Sequence, residues 1–285
     1  MATKIIPFQA LACPLDGDPL QREGSSWRCS AGHSFDIARQ GYTHLLPVQK
    51  KRSRDPGDSK EMVAARRRFL NAGLYRPIAE AVSQAALANL PADAQVSCLD
   101  AGCGEGYYLR ELARATQDGQ TLALLGLDIS KWATLSAAKQ NDQISWVVGS
   151  NANLPVQPGT LDCVLCMFGF PVYSEFARVL RPDGLLLQVD AGPDHLRELR
   201  EIIYPTLKPE RAGDAQVPEG FTYRSTDSVR YSLQLTGAEQ IADLLTMTPH
   251  LYRASTEGRA RAAALTALTV TVDVRLTRFV RDTVN

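Results

Sequence analysis

Long apolar runs are missing from this 285-residue chain: none approaches the roughly 20 residues that a membrane-crossing helix needs. The start, MATKIIPFQALAC, lacks the extended apolar stretch of a secretory leader. Both absences point to a cytoplasmic setting, no membrane partner, and reduced thiols. Cysteine is scarce, at six. In a reducing compartment those six read as core residues or metal ligands rather than disulfides. Net charge is also lacking, which by itself says nothing for nucleic acid. No internal repeat and no low-complexity tract is visible.

What is present is unevenly placed. Residues 1–70 hold 12 Lys/Arg against 7 Asp/Glu, and the remainder 19 against 24. Most of the excess sits in Lys50, Lys51, Arg52, Arg54, Lys60 and Arg66 to Arg68, the asymmetry expected of a basic arm that meets phosphate. Arg66 to Arg68 cannot all face one way on a helix, so about two of them, Arg67 included, are expected to join the arm at phosphate.

Three regions separate. Residues 1–48 are turn-rich and carry CPLDGDP and CSAGH; 49–60 (QKKRSRDPGDSK) read as an exposed basic linker; 61–285 alternate as strand and helix. Helices are expected from Glu61, with Ser59 as cap, and over 76–90. Strands follow at 96–100, 122–128, 144–149, 161–167 and 185–190, with helices at 107–116, 131–140 and 174–180 between them. The pattern predicts an α/β, Rossmann-like domain with a mostly parallel sheet. Residues 227–235 read as a strand and 237–247 as a helix. ALTVTVDVRLTRF (267–279) alternates with period two, as an antiparallel strand at or near an edge does.

The strongest chemical signal is LDAGCGEGYY (99–108). Gly102, Gly104 and Gly106 stand between a strand and a helix, where backbone must turn sharply and approach a ligand. Asp100 precedes the first glycine by two residues, and Asp128 ends the next strand, placed to accept both ribose hydroxyls of an adenosine. Cys98 and Cys103 read as packing residues. Cys163 and Cys166 are three apart on a strand, so they point to opposite faces and share no metal. Asp162 and Asp190 read as structural.

In the first region Cys13, Asp16, Cys29 and His33 form C-x2-D-x12-C-x3-H. Two such knuckles could converge on a tetrahedral ion, giving a small zinc-ribbon-like module with Asp16 where a second cysteine is usual. Carboxylate is a harder, less common structural zinc ligand. The alternative is a fold held by Trp27, Phe35, Tyr42 and contact with the main domain.

An acid at the strand end followed by GxGxG resembles the signature of S-adenosylmethionine (SAM) methyltransferases. That resemblance implies SAM as cofactor, with Asp100 and Gly102 near its methionine part. It implies a cofactor-binding set that also includes Gly104, Glu105, Gly106, Tyr107, Asp128, Ile129, Ser150 and Asn151. The last two stand in GSNANLP, the loop that frames adenine in such enzymes. More specifically, CPLDGDPL, SFDIARQGYTHLLPVQKKRSRDPGDS, EMVAARRRFLNAGLYRP, FARVLRPDG and GPDHLRELREIIY together resemble the bacterial 23S rRNA guanine-N1-methyltransferase family, with the linker like its Gram-negative type. The likeness implies a zinc-binding module that helps recognise 23S rRNA, and methyl transfer to guanine N1 in a hairpin. It also leaves a homodimer open. Phe168 and Phe170 would stack the extruded base; His195 and Tyr204 are weaker candidates on the substrate side. The competing readings are a small-molecule SAM methyltransferase and a non-catalytic RNA binder that kept the fold.

Overall fold

The computed structural model describes residues 4–47, 53, 55–88, 93–116, 119–206 and 217–283. Five three-residue strands come first: β1 Lys4–Ile6, β2 Gln21–Glu23, β3 Ser26–Arg28, β4 Ser34–Asp36 and β5 Tyr42–His44. Helices α1 (Lys60–Asn71) and α2 (Arg76–Leu87) lead into β6 (Gln95–Ala101), α3 (Tyr107–Ala115), β7 (Thr121–Asp128), α4 (Lys131–Gln140), β8 (Ser145–Val148) and β9 (Leu161–Met167). Then come α5 (Tyr173–Val179), β10 (Leu180–Ala191), α6 (Arg197–Ile203), β11 (Phe221–Thr236), α7 (Ala238–Thr246), α8 (His250–Arg253), α9 (Thr256–Ala263) and β12 (Ala267–Arg281). Helix α1 starts where its cap dictates: the Ser59 hydroxyl accepts from the Met62 amide at 3.3 Å. Met62, Ala65, Phe69 and Leu70 then fill its buried face.

The central sheet runs β11-β12-β10-β9-β6-β7-β8-β5. Strands β6 to β10 are mutually parallel, and all but the β8-to-β9 crossover carry a helix. Strand β12 is antiparallel to both β10 and β11, so it lies one strand in from the edge. The fold is a Rossmann-like α/β architecture with a mostly parallel sheet. No helix among the described residues is long and apolar enough to cross a membrane.

Residues 4–47 do not pack as a separate body. Strand β5 pairs in parallel with β8, with Tyr42 opposite Trp146, and β1 pairs in parallel with β7, with Lys4 opposite Thr121. One face of the sheet is covered by α2, α3, α4, α6 and α7. The other is covered by α5 and by N-terminal side chains: Phe8, Leu11, Leu20 and Trp27 join Leu99, Val164 and Phe176 in one buried cluster. No helix connects β8 to β9, and residues 10–12 run along 155–157 instead, with the Ala12 amide donating to the Pro155 carbonyl at 3.0 Å. A stretch too short to bury a core of its own has thus become part of a larger one.

Candidate functional site

Strand β6 delivers the chain to the glycine turn, and β7 pins it there. The amides of Gly102 and Cys103 both donate to the Leu127 carbonyl, at 2.8 and 2.9 Å. Gly102, Gly104 and Gly106 all take positive φ, which side-chain-bearing residues avoid. A Cβ on Gly102 would meet open space, whereas one on Gly106 would strike Trp146 at 2.4 Å. The first glycine therefore leaves its side of the turn open; the third makes room for the core.

Asp100 ends β6 fully buried, and neither of its carboxylate oxygens has a partner. Burial, and then the neighbouring charge of Asp128, push its pKa up to about 8. A buried carboxyl without hydrogen bonds is costly unless a ligand supplies them. Asp128 accepts from the Gly104 amide at 2.9 Å through one oxygen and from the Ser130 amide at 2.8 Å through the other. It is thereby fixed beside the turn with lone pairs to spare. Burial raises its pKa against the pull of those two amides.

The remaining expected contacts divide. Ile129 is half-exposed next to Asp128, Ser150 caps its own loop by accepting from the Ala152 amide, and Asn151 donates to the Ala101 carbonyl at 3.3 Å. The Asn151 carbonyl oxygen is buried and unpartnered, like Asp100. Glu105 turns inward: its carboxylate accepts from Arg110 at 3.0 Å and from Gln140 at 2.6 Å, a buried group that ties α3 to α4. Tyr107 is buried edge-to-face with Tyr108.

Beyond β9, Phe168 adopts φ of +51°, a left-handed conformation that costs a bulky residue about 1–3 kcal/mol. Its ring stacks on His195, with centroids 5.8 Å apart. His195 is held by the Asp273 amide, which donates to Nδ1 at 3.3 Å; burial, with His250 next, drives its pKa down to about 4. Phe170, by contrast, is 89% exposed. The Tyr204 hydroxyl lies 2.8 Å from His250 Nδ1. Asp162 anchors Ser97 and Arg181, and Asp190 takes the Gln188 amide, both within the sheet. Cys163 and Cys166 fall in opposite cores.

The N-terminal quartet comes together. Metal-ligating atoms of Cys13, Asp16, Cys29 and His33 all lie within 4.8 Å of one another. His33 Nδ1 is 3.6 Å from Cys13 Sγ and 3.4 Å from Cys29 Sγ. A tetrahedron with Zn–S near 2.3 Å and Zn–N near 2.0 Å has sulfur–nitrogen edges of roughly 3.5 Å. An Asp16 oxygen completes the set, 3.3 Å from Cys29 Sγ and 2.7 Å from His33 Nδ1. The Asp18 amide, ahead of the Cys13 side chain, holds the Asp16 carboxyl well below the usual range, so it is a carboxylate at neutral pH. Gly17 and Gly32 close the two knuckles with positive φ. The donor set fits zinc.

Of the basic residues, Lys50, Lys51, Arg52 and Arg54 lie outside the described residues. Arg67 is exposed on α1. Arg66 and Arg68 are engaged within the fold, with Asp58 and Asp243 respectively. The linker is not wholly exposed either, since the Asp58 carbonyl accepts from the Ser130 hydroxyl at 2.7 Å. Arg66 next to the glycine turn is the contact that a helical wheel could not reveal.

Residues 11–54 match the family described as "RlmA, N-terminal", a zinc ribbon, and residues 98–184 match "Methyltransferase domain". A Micromonospora griseorubida protein named "Putative 23S rRNA (guanine-N(1)-)-methyltransferase" is 36% identical, over 94% of this chain and 96% of its own. A Bacillus subtilis (strain 168) relative of the same description is 30% identical, over 95% and 97%. A Streptomyces fradiae "23S rRNA (guanine(748)-N(1))-methyltransferase" is 35% identical, over 66% of each chain. With two relatives aligned almost end to end, an N-terminal zinc ribbon and a methyltransferase domain in that order, the chain belongs to the 23S rRNA (guanine-N1)-methyltransferase family.

Proposed function

We propose that the protein transfers the methyl group of SAM to N1 of a guanine in a hairpin of 23S rRNA, in the cytoplasm. The observation that carries the reading is the unpartnered, buried Asp100 carboxylate beside the open side of Gly102, with Asp128 fixed at the end of the next strand. An ammonium group would complete Asp100, and a pair of vicinal hydroxyls would use the spare lone pairs of Asp128. SAM carries both, and supplies the sulfonium methyl. The names of the relatives supply the RNA and the base. Likeness to the Gram-negative type rests on the KRSRDPGDS linker, and the relatives above come from Micromonospora, Bacillus and Streptomyces.

In this reading Asp100, Gly102, Gly104, Asp128, Ile129, Ser150 and Asn151 hold the cofactor, and the main contribution to rate is alignment at near-attack distance. Glu105, Gly106 and Tyr107 shape the turn from behind. Phe168 and Phe170 stand at the C-terminal end of β9, where they would receive an extruded base between apolar faces. SAM held there would supply the methyl group and leave as the neutral thioether, and methylation of guanine N1 would release the N1 proton to solvent. Lys50, Lys51, Arg52, Arg54 and Arg67 would follow the RNA backbone, adding affinity rather than base choice. Residues 1–48, 49–60 and 61–285 divide as recognition ribbon, basic link and methyltransferase domain, although ribbon and domain share a sheet.

The direct test is labelled SAM with unmodified 23S rRNA, followed by mapping of the modified base. Methylation at a guanine N1 supports the reading; transfer only to small molecules, or none, overturns it. Phe170→Ala is expected to lower kcat/KM for rRNA by about 10- to 100-fold, in line with about 1–3 kcal/mol per stacked base, and to leave SAM affinity unchanged.

Asp100 gives a pH signature. Its pKa of about 8 means that the free protein holds this proton at pH 7. A cationic group seated against it lowers that pKa, so cofactor binding at pH 7 should release close to one proton. Calorimetry in buffers of different ionisation enthalpy reads this release. It should vanish above about pH 9 and in Asp100→Asn; an unchanged proton count in that variant would remove Asp100 from the site.

A further inference from the structure

Asp58 and Arg66 have no part in the reading so far, yet they grip the residues that hold Asp128. The Asp58 carbonyl takes the Ser130 hydroxyl at 2.7 Å, and Gly57 lies so close behind that a Cβ there would come within 2.8 Å of Ile129. The Asp58 carboxylate pairs with the Arg66 guanidinium, both half-buried. Arg66 also donates to the Met247 carbonyl at 3.0 Å and lies along Gly104, its Nη1 3.4 Å and its Cδ 3.5 Å from where a Cβ would stand. Gly104 and Ser130 are the two residues whose amides fix the Asp128 carboxylate.

We propose that Asp58 and Arg66 are positioning residues for the cofactor: a clamp that closes the ribose side of the pocket while Asp58 keeps the Arg66 guanidinium off Asp128. The inference rests on Asp128 being the ribose-holding acid. Asp58 and Arg66 both bear on the Asp128 carboxyl, in opposite senses: the anion raises its pKa and the guanidinium lowers it. Arg66 bound to Asp58 leaves the Asp128 lone pairs for the sugar. Arg66 acts electrostatically on both Asp128 and Glu105, and the Glu105 carboxylate is already taken by Arg110 and Gln140; without Asp58 the guanidinium is drawn to Asp128, where a bidentate pair would consume the acceptors that two hydroxyls need. Asp58 therefore acts through Arg66, and Arg66 through the turn.

Binding measured on the full-length protein separates this from a purely structural role. Asp58→Asn should raise the dissociation constants of SAM, S-adenosylhomocysteine and 5′-methylthioadenosine by a common factor of about 10, because the clamp faces the sugar all three share. Asp58→Glu, which keeps the anion, should restore most of the affinity. The double variant Asp58→Asn/Arg66→Gln should bind better than Asp58→Asn alone, since no guanidinium remains to occupy Asp128; coupling of this sign is what a double-mutant cycle detects. A fall in melting temperature with unchanged affinity, equal or additive loss in the double variant, or loss confined to ligands carrying the methionine part would overturn the clamp. Failure of the wild-type protein to bind all three ligands would instead sink the cofactor reading.

Discussion

Asp128→Ala is expected to raise the dissociation constant for SAM at least about 100-fold, equivalent to about 2.7 kcal/mol. Hydrogen bonds to a charged group contribute about 1.5–3 kcal/mol each, and a carboxylate holding two ribose hydroxyls would lose both. The substitution also releases the Gly104 and Ser130 amides, which Asp128 accepts at 2.9 and 2.8 Å. The turn then keeps only its bonds to the Leu127 carbonyl and loses its tether to Asp128 together with its ligand. Asp128→Asn separates the two effects: it keeps one acceptor oxygen and should fall between wild type and alanine. Titration calorimetry with the pure protein reads both, and wild-type affinity in Asp128→Ala would remove this acid from the cofactor site.

The second large effect concerns the quartet Cys13, Asp16, Cys29 and His33. Purified protein is expected to carry one zinc per chain. Stripping it, or Cys29→Ser, should unfold the three-stranded β2-β3-β4 unit and lower the melting temperature of the whole protein by about 10 °C or more. Structural zinc contributes about 10–16 kcal/mol of apparent binding energy in isolated fingers. Here part of that energy is shared with apolar contacts, because Cys13, Cys29, Leu20 and Trp27 lie in the same cluster as the sheet residues Leu99 and Val164. Asp16→Cys should hold zinc more tightly, with at least tenfold slower loss to a chelator, since thiolate is the softer ligand. Metal-free protein as isolated, melting identically with and without chelator, would return the quartet to a plain polar cluster.

Much of the fold is legible because buried strands of an α/β domain are short apolar runs bounded by turns. Leu161–Met167 is found as expected, and Lys131–Gln140 likewise. Strand β10 begins at Leu180 rather than 185, because Arg181 to Gly184 bulge out while the pairing with β9 resumes beyond them; in sequence, RPDG reads only as a turn. Strand β11 starts at Phe221 rather than 227, since its edge position leaves both faces largely polar. Helices α8 and α9 have short, weakly amphipathic sequences and pass unnoticed. What a one-dimensional pattern lacks is partnership across the chain. Three-residue strands such as β1 and β5 have no period of their own, and their identity as sheet members comes from β7 and β8. Arg66 likewise looks like one cation in a run of three until its neighbours, Asp58 and Gly104, are known. The glycine turn and its two acids were readable from local order alone, whereas the burial that leaves Asp100 without a partner was not.

Strands β1 and β5 have a consequence for how the protein is built. Each end of the ribbon is stitched by main-chain bonds into the slab that carries the chemistry, alongside different strands of it. A shortened chain beginning at residue 49 would bare the backbone of β8 and of half of β7, and with them the apolar surface under Phe8 and Trp27; such raw edges invite aggregation. The ribbon cannot be exchanged like a cassette or swing like a tethered arm. In the proposed reading, the angle at which it would offer RNA to the glycine turn is therefore set once, when the sheet forms, and not renegotiated with each substrate.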